Sequence, residues 1–202
     1  MGRIQVMLAI TAATIGAFGA GAQEHQLTFS PKNHDLDNND NFSPDGKLLC
    51  YDTRNMDGPG IDNGQEIYVV EIATGKETLL YTPEKIVTGE GAAPGVGAVS
   101  FHGTENRVVF IHGPAVDEVA ERGPYGKPNR QGASVPADGS GKPAKQGGFE
   151  KSWLDARDVA TDRDTTPGAH RGGTHRHEYT LDGQRVGFTY DDFLLPQYGR
   201  SV

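Results

Sequence analysis

Apolar and polar positions alternate in short bursts along most of this chain, and polar, glycine-containing turns separate the bursts. Three ten-residue windows align without gaps: FSPDGKLLCY from Phe42, FHGTENRVVF from Phe101 and YTLDGQRVGF from Tyr179. Each starts on an aromatic residue, passes a turn, and closes an apolar run on a second aromatic. Asp45-Gly46 and Asp182-Gly183 supply the positive φ that a tight hairpin needs, and the runs after them carry strand-favouring side chains. Each window therefore predicts two antiparallel strands. After the first window, Glu66 to Ile72 alternates and ends at Ala73-Thr74-Gly75-Lys76, and Glu77 to Tyr81 supplies one more short strand. Together these make a four-stranded meander, the size of one propeller blade. The copies begin at residues 42, 101 and 179, further apart than the roughly 40 to 45 residues of a typical blade, so insertions must fill the difference.

One insertion is visible. Gly113 to Gly148 is rich in Gly, Pro, Lys, Ser and Asn and holds no sustained apolar period, which predicts a long, flexible surface loop. Asp155 to Thr166 is charged and reads either as a short helix or as an irregular approach to the next blade. Trp153, the one tryptophan, reads as a core anchor.

Composition strengthens the all-β reading. Twenty-eight glycines and 12 prolines in 202 residues argue for many turns and few long helices. A net charge of −8 and a pI near 5.3, without a basic stripe, argue against nucleic acid as a partner. Residues 1 to 22 place Arg3 before an apolar stretch from Ile4 to Phe18 and end on Ala20-Gly21-Ala22. That pattern predicts a cleavable signal peptide and a periplasmic or secreted location, with no membrane span in the mature chain. No cysteine follows the small residues, so nothing points to a lipid anchor. The single cysteine, Cys50, sits in an apolar run and reads as a small buried hydrophobe.

The FSPDGKLLCYDTR and EIYVVEIATGKETLLY runs resemble the β-propeller repeats in the carboxy-terminal domain of TolB. PKNHDLDNNDNFSPDG, VVFIHGP and RGGTHRHEYTLDGQRVGFTYDD together resemble the YidR-like family of uncharacterised bacterial proteins with a TolB-like propeller. The resemblance covers most of Gln26 to Leu194 outside the glycine-rich segment. It implies an all-β propeller of four-stranded blades and no established activity. Closed propellers have about four to eight blades, whereas three copies are legible and the last ends almost at once. The sequence is accordingly read as the amino-terminal part of a longer propeller.

Candidate chemistry lies in the histidines. His175 and His177 are two apart in a predicted innermost strand, where alternation puts both imidazoles on one face. Such a pair in a propeller channel offers two nitrogen ligands to a divalent transition metal, manganese or zinc. His34, shortly before the first S-P-D-G turn, is the candidate third ligand. The H-x-H also resembles the motif of the oligogalacturonate lyases, secreted propeller enzymes with a manganese ion in the channel. That resemblance implies a metal that acidifies a sugar C–H, and Arg171 is then the candidate partner of the substrate carboxylate. Catalytic residues are not identified, and no cofactor-binding motif is present.

Asp35, Asp37, Asn39 and Asn41 begin with calcium-loop spacing, but Asp40 occupies the glycine position and Gly46 that of the bidentate glutamate. There is no G-x-S-x-G elbow, phosphate loop or C-x-x-C. Asp191 and Asp192 point to opposite sides of a strand and are not a catalytic pair. Two readings stay open. The preferred one is a binding module for a protein, peptide or glycan; the other is a metal-dependent enzyme acting on acidic oligosaccharides.

Overall fold

The computed structural model describes residues 23–36, 38–54, 60–141 and 149–192. The expected signal peptide and the residues after Asp192 lie outside these. The described chain is all-β, with eleven strands, one short α-helix, α1 (Val119–Arg122), and three single-turn 3-10 helices. No described helix is long and apolar enough to cross a membrane.

The first sheet is the antiparallel meander β1 (Leu48–Asp52), β2 (Ile67–Glu71) and β3 (Glu77–Tyr81). The second orders β4 (Val96–Phe101), β5 (Arg107–His112), β6 (Gln131–Pro136) and β7 (Ser152–Trp153) in the same way. A parallel two-residue pair follows, β8 (Ala156–Arg157) with β9 (Ala169–His170). The hairpin β10 (Gly172–Tyr179) and β11 (Val186–Asp192) comes last. Among the described residues none of these sheets closes on itself. The turns expected at Asp45-Gly46 and Asp182-Gly183 are present, with both glycines at φ 69°. Asp45 and Asp182 each accept a backbone N–H two residues on, the aspartate turn chemistry the sequence advertised.

The sheets stand with their leading edges together. Residues 35–36 and 38–42 lie beside β1, bridging Asp35 to Asp52 and Phe42 to Leu49. The same stretch meets β4: the Phe101 N–H donates to the Asp40 carbonyl at 2.7 Å, and the Asn38 amide donates to the Ala98 carbonyl at 2.6 Å. On the other side of β4, the Ser100 hydroxyl donates to the His177 carbonyl in β10 at 2.8 Å. Buried backbone groups at these edges thus find partners across sheets, as burial demands. The apolar core lies between the first two sheets. Cys50, Ile67, Val69 and Leu80 from one side meet Val99, Phe101, Val108, Phe110 and Val135 from the other. Cys50 is fully buried, as expected, and burial pushes its thiol up.

Two expectations are corrected, that of a loop over 113–148 and that of Trp153 as a core anchor, and the choice left open over 155–166 falls to the irregular alternative. Segment 113–148 is not one long loop, because β6 within it is a buried strand paired along its whole length with β5. Its core-facing residues, Ala133, Val135 and Ala137, do alternate, but they are too small to register as an apolar period. On the opposite face position 132 requires a glycine, since a Cβ there would come within 2.8 Å of the His177 ring. Residues 155–166 form no helix. Asp158 instead gathers the Arg163 guanidinium and the N–H and hydroxyl of Thr166 into a tight turn. Trp153 is 43% exposed and therefore does not anchor the core.

Candidate functional site

His34 is placed beside the first sheet. Its Nε2 lies 3.2 Å from Glu77 Oε1, and its ring leans on Tyr51 at 4.5 Å between centroids. Glu77 also accepts from the Ser30 hydroxyl at 2.9 Å and from the Tyr51 hydroxyl. Burial opposes its charge, but these donors and the nearby Lys32 prevail and hold its carboxyl down to about 2.

β10 does not keep the strict alternation that the H-x-H reading assumes. Its register with β11 shifts between His175 and Glu178, and Arg176 takes φ 56°, a bulge that re-aims the strand. His177 turns inward and is 1% exposed. Its Nε2 meets the Thr174 hydroxyl at 2.9 Å, three residues back, while His175 is only half-buried. Burial lowers His177 to about 4, and the neighbouring His175 and Arg130 act in the same direction.

The expected ligand set is therefore not gathered. His34 serves Glu77, His177 serves Thr174, and among the described residues no three His, Cys, Asp or Glu side chains form a metal-holding group. As placed here, His34, His175 and His177 do not make a three-ligand transition-metal site. Arg171 donates to Asp192 at 3.1 Å, and Asp192 also accepts from the Tyr190 hydroxyl at 3.0 Å, so this guanidinium already has a protein carboxylate. Asp191 faces Arg130 instead, at 3.7 Å, which agrees with the expectation that the two aspartates do not act together.

At the meeting of the sheet edges sits a buried ionic group. Arg54 lies 3.0 Å from Asp35 Oδ1 and 3.0 Å from Asp52 Oδ1. The other Asp52 oxygen accepts the Ala98 N–H at 2.7 Å. All three side chains are buried. Desolvation raises Asp52 to about 6 despite the pull of Arg54. The arrangement fastens Asp35, the end of β1 and β4 to one another.

The cleft with the most definite chemistry lies at the far ends of β3 and β5, where sequence reasoning placed nothing. It encloses about 140 Å³, and its lining includes Tyr81, His112, Phe149 and Lys151, with Lys85 and Asp117 at the rim. β3 ends on Tyr81 and β5 on His112, so strand pairing delivers both side chains to one floor. His112 Nδ1 is 2.5 Å from the Gly113 carbonyl. A carbonyl only accepts, so Nδ1 carries the proton and Nε2 receives the Tyr81 O–H at 2.8 Å. Burial, aided by the charge of Lys151, pushes His112 down to about 3 and fixes it neutral. The Lys151 ammonium lies over the Trp153 ring at 4.6 Å and over Tyr81 at 5.7 Å. Burial lowers its pKa, against the pull of Glu118. The available signal was His112 itself, an ionisable residue closing the apolar run Val108–Ile111; Lys151 carried none.

Comparison with known proteins gives two findings. Residues 95–200 match the family model described as a protein of unknown function, DUF3748. The chain is also 35% identical over 170 residues to the "Uncharacterized protein YidR" of Escherichia coli (strain K12). That match covers 84% of this chain but 35% of YidR, so the chain spans about a third of its relative's length.

Proposed function

The chain belongs to the DUF3748 family of proteins of unknown function, and from that premise we propose that it is an exported β-propeller segment acting as a binding module for a protein, peptide or glycan. The observation that carries this reading is the side-by-side placement of the leading edges of three successive antiparallel sheets, tied by Asn38 to Ala98 and by Ser100 to His177. Propeller blades meet at their innermost strands in this way, with flat sheet faces packed between neighbours, and the resemblance of the turn motifs to TolB repeats agrees with it. The insertion between β5 and β6 contributes Asp117 to the cleft rim, and Phe149 and Lys151 come from the segment leading into β7. Binding at such a cleft requires no metal, which suits a site where the histidines serve protein partners.

The test is made on untagged protein purified from the exported fraction of the full-length parent chain. Thermal-shift screening against peptides and oligosaccharides is expected to yield a ligand whose affinity is unchanged in a His175→Ala, His177→Ala double variant. Elemental analysis by mass spectrometry is expected to give no stoichiometric transition metal. A bound metal lost in the double variant, together with turnover of acidic oligosaccharides, would overturn the reading in favour of a metal-dependent enzyme.

A further inference from the structure

Resting on the binding reading above, we propose that the cleft over the Tyr81–His112 pair receives a single carboxylate, with the Lys151 ammonium as its counter-ion.

Lys151 is a cation with an unfilled requirement. Its side chain is part-buried, with the ammonium 4.6 Å from the centre of the Trp153 ring and 5.7 Å from that of Tyr81. Among the described residues no carboxylate lies within ion-pair distance of it. The acid that pulls on it most, Glu118, is already engaged by Arg122 at 3.0 Å and by the Ala115 N–H at 2.8 Å. A desolvated charge without a partner is costly, and a bound anion removes that cost. The remaining floor chemistry selects the ligand. The His112 Nδ1 proton is spent on Gly113 and the Tyr81 proton on His112, so neither donates to an anion and Lys151 is the donor left. The Tyr81 oxygen keeps lone pairs that accept a ligand hydroxyl or N–H.

Charge at the rim favours a monoanion. Lys85 is held by both oxygens of Asp117, at 2.8 and 2.7 Å, and Glu84 adds a further negative charge to the lining. A doubly charged phosphate meets repulsion there that a carboxylate largely escapes. The volume, about 140 Å³, falls below the roughly 300 Å³ at which sites for drug-sized molecules begin. It suits one carboxylated unit, either a sugar acid or the carboxylate of an amino acid.

Trp153 provides the readout, being the only tryptophan and in contact with the Lys151 ammonium. Purified protein is titrated with D-glucuronate, N-acetylglycine and, as the neutral control, D-glucose, following tryptophan fluorescence. Both carboxylates, or one of them, should change the signal saturably while glucose does not. A response to glucuronate alone assigns a sugar acid, and one to N-acetylglycine alone an amino-acid carboxylate. Lys151→Met should weaken the response at least about tenfold, the loss expected of one charge-assisted contact. Lys151→Arg should retain most of it, which separates a charge effect from misfolding, and Lys47→Met, on a distant turn, should leave it unchanged. Equal binding of glucose, no binding of either carboxylate, or undiminished binding by Lys151→Met overturns the proposal. The broader binding reading survives that result if a ligand from the screen shifts the melting of Lys151→Met as much as that of the parent.

Discussion

Replacing Arg54 with methionine should be among the most damaging single changes in the first sheet, and its cost should depend on pH in a defined direction. Arg54 lies 3.0 Å from one oxygen of Asp35 and 3.0 Å from one of Asp52, and all three residues are buried. Methionine keeps much of the arginine stem but leaves two carboxylates facing each other without a cation. Removing one partner of a buried ionic group costs about 3–5 kcal/mol. Asp52 gives the sign. Its folded pKa is about 6, above the ordinary 3.8, because desolvation outweighs the pull of Arg54. A carboxyl raised on folding contributes stability that is complete below its unfolded pKa and is lost as pH rises through the folded one. Without Arg54 the folded value rises further, so the variant suffers most near pH 7 and recovers as the medium is acidified towards pH 5. Each further unit of rise adds about 1.4 kcal/mol to that difference. Urea denaturation of parent and variant at the two pH values measures it, and Arg54→Lys should fall between them because it restores charge without the fork. A cost below about 1 kcal/mol, or one equal at both pH values, would refute the claim that this arginine neutralises buried charge.

Three further outcomes follow from close contacts and buried protons. Gly173→Ala should cost about 3 kcal/mol or prevent folding, since its Cβ would stand 1.9 Å from the Lys127 carbonyl oxygen; Gly168→Ala, at φ 83° in open space, should cost only about 1–2 kcal/mol in the same urea assay. Tyr81→Phe should destabilise by about 1–3 kcal/mol in equilibrium unfolding, because it leaves the buried His112 Nε2 without a donor. His112 and His177 fold with values near 3 and 4 against an ordinary 6.5, so the unfolded chain takes up their protons first and stability falls as pH drops below 6.5. The loss at pH 5 is about 2 kcal/mol for each, partly offset by Asp52. The double variant His112→Gln, His177→Gln should flatten the denaturation midpoint between pH 7 and pH 5, and an unchanged slope would show that these rings titrate freely.

Much of the fold was legible because it is encoded locally. The aspartate-glycine turns, the alternation through β2 and the aromatic ends of the windows each depend on neighbours a few residues away. The all-β class therefore followed from the sequence, as did β1, β2, β3 and the final hairpin. The buried thiol of Cys50 also followed, since Leu48, Leu49 and Tyr51 flank it. β6 escaped detection because its core-facing positions are alanine and valine among polar and glycine residues, and burial is imposed by pairing with β5 and by the packing of the first sheet on one face and the His177 ring on the other. Local spacing misled at β10, where a bulge at Arg176 cancels the alternation of His175 and His177. Trp153 was misplaced for a related reason, since β7 is a two-residue edge strand with one face open to water.

The candidate site lay beyond any local rule. Tyr81 and His112 are 31 residues apart and meet only because β3 and β5 end at the same level of two packed sheets. Lys151 reaches them from the far side of the insertion. The sequence determined which segments extend and turn, since those choices are settled by backbone sterics and period-two burial. Tertiary structure decided which ionisable groups lose water and which find partners. Desolvation and hydrogen bonding are set by residues distant in the chain; thus His34 became a partner of Glu77, and Lys151 came to line a cleft beside Tyr81 and His112 with no ion-pair partner among the described residues.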